Sequence, residues 1–358
     1  MDREPVLSGK EYRSFIREKK LFLLGLALAT VAVFILSIAL GSSNLPLGKV
    51  LAALAGRAEG KEKIIVSNLR LPRSATAVVV GVGLGIVGCV MQGVLRNPLA
   101  SSGTVGVSQG ASFGAAFAII VLGGGAMSSN TAGATLSVIN PALVSTCAFL
   151  GAISCTVVVV ILAQLSRSNP GTLILAGVAL SNLFGAATTL MQYFADDVKV
   201  AAVVYWTFGN LGSTFWKDIA IMAAAVVIAL VFFWLNSWNY NAMQSGEDTA
   251  KGLGVNTRQI TIWSMAVGAL TAAVIVSFIG IINFVGLIAP HLVRRFVGTD
   301  YRYLIPASGL AGACLLLLSD TFARIVVAPI VLPVGAITSA LGAPLFLWIV
   351  FKGGIRRK

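Results

Sequence analysis

Residues 73–95 read RSATAVVVGVGLGIVGCVMQGVL. After Arg73 the run carries no charged side chain, and its length matches the ~20 apolar residues a helix needs to cross a bilayer. Comparable runs lie near 21–40, 104–123, 141–165, 173–194, 217–236, 260–279, 283–297, 303–322 and 333–352. Backbone groups in lipid must be satisfied within each segment. The pattern therefore predicts an all-α integral membrane protein of about ten transmembrane helices.

Composition points the same way. The 358 residues are 57% hydrophobic and 11% charged, with a mean hydropathy of +0.91. A soluble domain carries about 25% charged residues, so lipid must be the solvent for much of this chain. The net charge is +13. In a soluble protein that excess would suggest nucleic acid. On a multispan chain it reads as basic loops and tails on the cytoplasmic side, and no nucleic-acid partner is expected.

The predicted organisation is a basic tail over 1–20, one ten-helix membrane domain over 21–352 and a short tail over 353–358. Basic residues 11–20 followed by an apolar run fit the front of a signal peptide, but the run is long enough to span, so a retained first helix is expected. An even count puts both termini on one side. The amino-terminal tail holds Arg3, Lys10, Arg13, Arg17, Lys19 and Lys20, and the other end holds Lys352, Arg356, Arg357 and Lys358. Both termini are thus expected in the cytoplasm. Lys49, Arg57, Lys61, Lys63, Arg70 and Arg73 then fall outside, against the bias.

Several chemistries lack their residues. No G-x-x-x-x-G-K-[ST] phosphate loop is present, so the chain should not hydrolyse ATP. Cys89, Cys147, Cys155 and Cys314 sit singly in apolar runs, and His291 is the one histidine. No metal-ligand spacing arises, and no cofactor is expected. Almost no ionisable residue lies near a predicted span centre, which weighs against an ion-coupled secondary transporter. Gly81 and Gly85, and Gly106, Gly110 and Gly114, recur at four-residue intervals, a spacing that lets helices approach closely in lipid.

Three polar segments stand out. Arg70-Leu-Pro-Arg73 places Pro72 in a helix's first turn, with two arginines at the membrane surface. They read either as interfacial anchors or as a docking site for acidic groups. Arg96-Asn97-Pro98-Leu99-Ala100 breaks the helix, as does Asn169-Pro170-Gly171, and irregular backbone at membrane depth suits a cavity wall. The loop 237–259 contains Glu247-Asp248-Thr249-Ala250-Lys251-Gly252-Leu253-Gly254, which reads as a short helix with a glycine stop, able to sit in a partner's groove.

With Leu175–Leu180, Gly286–Arg294, Leu332–Gly335 and Leu341–Pro344, these segments resemble in order the FecCD-type permeases of ABC importers for ferric siderophores, haem, cobalamin and related chelates. The resemblance runs from about Leu69 to the end. It implies a type II ABC importer permease fold in the bacterial cytoplasmic (inner) membrane. It also implies a second permease subunit, identical or paralogous, with two cytoplasmic ATPase subunits and an extracytoplasmic substrate-binding protein. By the same resemblance Arg70, Arg73 and Arg324 are surface arginines for binding-protein docking. Asn97, Leu99, Pro170 and Gly171 belong to the cytoplasmic gate. Glu247, Asp248, Ala250, Leu253 and Gly254 form the coupling helix to the ATPase, and the fifth and tenth helices line the path. His291 is expected to be structural. Val331 departs from the family pattern, which has glutamate there, and Asp320 is the candidate substitute.

Overall fold

The computed structural model describes residues 9–41, 46–54, 57, 60–130, 133–138, 140–165 and 170–355. The helices are α1 (Gly9–Ala39), α2 (Leu47–Leu54), α3 (Gly60–Lys63), α4 (Leu71–Val94), α5 (Val107–Ile120), α6 (Pro141–Leu165), α7 (Pro170–Tyr193) and α8 (Asp197–Thr207). They continue with α9 (Trp216–Leu235), α10 (Ser237–Gln244), α11 (Glu247–Gly252), α12 (Thr257–Ile279), α13 (Val285–Val297), α14 (Tyr301–Ile325) and α15 (Val334–Ile355). Helices occupy all ten predicted segments.

Among the described residues, seven of them are long and apolar enough to cross a membrane. The other three are α5, α13 and α15. The 14 residues of α5 rise only about 21 Å, short of the ~30 Å hydrocarbon core. Irregular segments shielded by protein must complete such a crossing.

Two features differ from the sequence reading. An antiparallel hairpin, β1 (Gly125–Asn130) with β2 (Gly133–Val138), pairs Gly125 with Val138 between α5 and α6. In addition, although Pro72 lies in the first turn of α4 as expected, that turn is not a free helix end. A π-helical turn, Ile64–Arg70, runs directly into α4. There the Leu71 N–H reaches back five residues to the Val66 carbonyl. The wider turn precedes a proline that has no N–H to give, so helical backbone continues through it.

The bundle is organised around α4 and α14. α14 packs along α4 and also meets α13 and α1, while α12 packs on α4, α6 and α9. The glycine spacing explains the closeness. A Cβ on Gly81 would stand 2.5 Å from the Gly312 carbonyl oxygen, and one on Gly85 would overlap the Ser308 carbonyl. Gly110 and Gly114 meet the Gly151 and Cys147 carbonyls of α6 in the same manner. Lipid tails are as apolar as leucine, so close van der Waals contact drives this association.

Gly85→Ala should therefore destabilise the detergent-solubilised protein by about 1–3 kcal/mol, as overpacking does. Gly25→Ala, whose Cβ meets nothing within 4 Å, should leave the melting temperature in place.

Candidate functional site

At one end of the bundle the last turn of α1 leaves carbonyls with no helical partner. Arg70 donates through one Nη1 to the Ile38 and Ala39 carbonyls, at 2.8 Å each. Arg324 donates to the Leu40 carbonyl at 3.1 Å, the Ser37 carbonyl at 2.9 Å and the Ser37 hydroxyl at 2.8 Å. Cations at a helix C-terminus are also favoured by its dipole. Asp320, fully buried, accepts from Arg73 Nε at 2.8 Å on one oxygen and from Arg324 Nε at 2.9 Å on the other.

The expected surface arginines are thus corrected. Arg70 and Arg324 are buried and engaged inside the chain, while the Arg73 side chain keeps 14% of its surface exposed. The reason is local: the α1 terminus needs donors, and Asp320 needs cations. Asp320 is committed to these arginines and offers no carboxylate at the surface in place of Val331, which is itself exposed.

Two irregular segments meet in the middle of the bundle. The first follows α4. Arg96 takes a left-handed φ of 47°, and the Asn97 side-chain oxygen accepts the Leu99 N–H at 2.8 Å. Asn97 is half-buried and Leu99 is exposed. Ser101 and Thr104 then bond one another through side chains and backbone, and Gly106, at φ 90°, opens α5. The second segment is 280–284, between α12 and α13. Gly280 has φ 77° and Phe284 φ 67°, the latter uncommon for a residue with a Cβ.

Between them lies a cavity of about 440 Å³. Its polar lining includes Ser101, Thr104, Gln109, Ser181, Thr207 and Asn283, and among the described residues no charged side chain lines it. The helices that flank them are tied to each other: the Gln92 amide of α4 donates to the Leu287 carbonyl of α13 at 3.1 Å, and Arg294 of α13 reaches Gln92 at 3.5 Å.

The sequence reading located the break at Asn97 but missed the hydroxyl wall. The polar run Ser101-Ser102-Gly103-Thr104, unusual in so apolar a chain, was the available signal. Pro170 opens α7 and Gly171 is exposed, whereas Asn169 lies outside the described residues. Among the described residues no group of His, Cys, Asp or Glu could hold a metal. His291 packs edge-on against Phe346, ring centroids 6.2 Å apart.

The 237–259 loop folds as α10 and α11. Glu247 and Lys251 pair across one turn of α11 at 2.9 Å. Ala250 is fully buried, Leu253 is 67% exposed, and Gly254 stops the helix with φ 82°. Glu247 and Asp248 face solvent. The hydrogen bond from Lys251 holds the Glu247 carboxyl below its ordinary range. α10 is fastened to the start of α14. Asn241 donates to Asp300 at 2.9 Å and accepts the Tyr301 N–H at 2.9 Å. Arg302, paired with Asp300, lies 4.4 Å over the Trp238 ring.

A bundle of membrane-crossing helices with a cavity that bears hydroxyl and amide groups is the architecture of a polytopic membrane protein. The FecCD transport family matches residues 29–352, and the chain belongs to it. It is an ABC transporter permease of the inner membrane, crossing it several times. A Methanocaldococcus jannaschii protein named as an ABC transporter permease is 48% identical over 344 residues, covering 96% of this chain and 97% of its own. The hemin transport system permease HmuU of Yersinia pestis is 36% identical over 285 residues, covering 80% of this chain and 82% of its own. Among solved structures, a metal-chelate type ABC transporter in an inward-facing conformation superposes with a TM-score of 0.80 at 29% identity, covering 93% of this chain and 99% of that one.

Two predictions follow from the polar geometry. Asp320→Ala removes the carboxylate shared by the buried Arg324 and the partly exposed Arg73 and should cost about 3 kcal/mol, measured by thermal unfolding in detergent. The Glu247 carboxyl is depressed in the folded state, so its contribution is present above the ordinary carboxylate range and disappears as pH falls through the lowered value. Protection factors over 247–252, corrected for the intrinsic slowing of exchange in acid, should therefore fall on acidification in the native protein and show no such step in Glu247→Gln.

Proposed function

We propose that the chain is the pore subunit of an ATP-driven importer carrying a ferric siderophore or a similar metal chelate. The observation that carries this reading is the uncharged, hydroxyl- and amide-lined cavity beside the Asn97–Leu99 break. Neutral groups offer a bulky chelate hydrogen bonds without ionic capture, which favours release over retention. Haem is the second reading, favoured by the 36% identity to a hemin permease; cobalamin or molybdate are further alternatives within the same family.

In this reading a second permease subunit, identical or paralogous, completes the path. α7 and α15 line it, and the Asn97–Leu99 and Pro170–Gly171 segments close its cytoplasmic end. Two ATPase subunits bind α11 from the cytoplasm, the side on which both chain termini lie. The exposed Leu253 is the apolar contact, and Glu247, Asp248 and Gly254 set the helix ends around it. A substrate-binding protein docks at the opposite face against Arg73, with Arg70 and Arg324 holding the surface in shape from behind. ATP-driven movement of α11 passes through the Asn241–Asp300 contact into α14.

The test is uptake of labelled ferric chelate into proteoliposomes holding this chain, its ATPase and its binding protein. Uptake should require ATP, and uptake without the ATPase would mean an ion-coupled transporter instead. Leu253→Glu should leave the melting temperature unchanged and weaken ATPase association about tenfold, close to 1.4 kcal/mol. Normal association and turnover would reduce α11 to a connector.

A further inference from the structure

A second, larger cavity shares no lining residue with the hydroxyl-lined one. It measures about 890 Å³ and lies between the start of α6, the start of α9 and the end of α12. That volume lies within the range, roughly 300–1,000 Å³, of pockets that bury most of a small ligand. α12 packs on both α6 and α9 and forms the floor between them. Phe149, Ile221 and Phe278 supply apolar wall from the three helices, one each. Lys217, in the first turn of α9, stands exposed among the lining residues.

The level of this cavity in the bilayer can be read from its neighbours. Thr214 bonds Thr76 of α4 at 2.7 Å, so the α9 entry lies at the same end of the bundle as Arg73 and Asp320. Tyr205 and Trp206 also line the cavity, and Trp216 adjoins it. Aromatic residues of this kind collect where headgroups meet hydrocarbon. The cavity is therefore apolar along membrane-crossing helices and presents the exposed Lys217 cation, beside Asp218, at headgroup level.

We propose that this groove is a binding site for one glycerophospholipid, its phosphate on Lys217 and one acyl chain along Phe149, Ile221 and Phe278. A phospholipid has both parts of that pattern, an anionic phosphate joined to a long apolar chain. The bilayer presents it to this face at high concentration. Asp218 does not compete for Lys217 alone, because its carboxylate accepts the Phe215 N–H at 2.9 Å and caps α9.

The experiment titrates palmitoyl-oleoyl phosphatidylglycerol into the delipidated full-length chain in detergent and counts bound lipid by native mass spectrometry. One lipid should bind ahead of all others. Lys217→Glu should weaken that first event about tenfold, as expected for one lost charge-assisted contact. Ala142→Trp, at an exposed position of the wall, should abolish it by filling the groove. Both variants should keep the native melting temperature. Diacylglycerol with the same chains should bind as weakly as phosphatidylglycerol binds Lys217→Glu, and inorganic phosphate should displace nothing. Equal first-lipid binding in the native chain and both variants would overturn the site. So would diacylglycerol matching phosphatidylglycerol, or displacement of the lipid by free phosphate.

Discussion

Every peptide N–H and C=O inside hydrocarbon needs a partner, because no water is there to supply one. Most of this chain meets that demand within straight helices. The informative places are those where it cannot. The end of α1 leaves carbonyls open, and Arg70 and Arg324 fill them. Pro72 removes a donor, and the π-helical turn before it changes the hydrogen-bond ladder. The segments after α4 and before α13 leave the ladder altogether, and both border the same polar cavity. One constraint thus accounts for the buried arginines, the unusual turn and the position of the cavity.

The arginines bring a second problem, since charge is costly away from water. Asp320 answers part of it by accepting from Arg73 and Arg324 together. Carbonyl dipoles at the α1 terminus supply the rest. The cluster therefore stabilises only as a unit. It also joins α1, α4 and α14 at one end, adding directional bonds to the glycine packing between α4 and α14.

Periodicity and length were sufficient to locate ten helical segments, because apolar runs bounded by glycine, proline and charge leave few other options. The four-residue glycine spacing carried tertiary information as well, and Gly81, Gly85, Gly110 and Gly114 all meet backbone of a neighbouring helix. The Glu247–Gly252 helix and its stop at Gly254 were readable from local chemistry alone. The arginine cluster was not. Arg70 and Arg73 look like membrane-surface residues until Asp320, 247 positions from Arg73 along the chain, is brought beside them. The hydroxyl wall was signalled only by the run Ser101-Ser102-Gly103-Thr104, because serine and threonine elsewhere in the chain commonly bond their own helical backbone, as Thr76 and Ser308 do. The β hairpin escaped for a different reason: Gly125–Val138 is short and Ser/Gly-rich, and reads as a loop.

α14 is the element on which these separate features converge. Its 25 residues span about 37 Å, more than the hydrocarbon core. At its first turn Asn241, Asp300 and Arg302 hold α10, next to the exposed α11. At its last turns Asp320 and Arg324 hold Arg73 and the end of α1. Along its length glycine contacts press it against α4, which leaves little room for the two helices to slide independently. Pro306, inside the helix just past its first turn, has no backbone donor, so the ladder of α14 is interrupted before the glycine contacts begin. Close packing of glycines in the middle and directional polar contacts at both ends thus fall on a single helix.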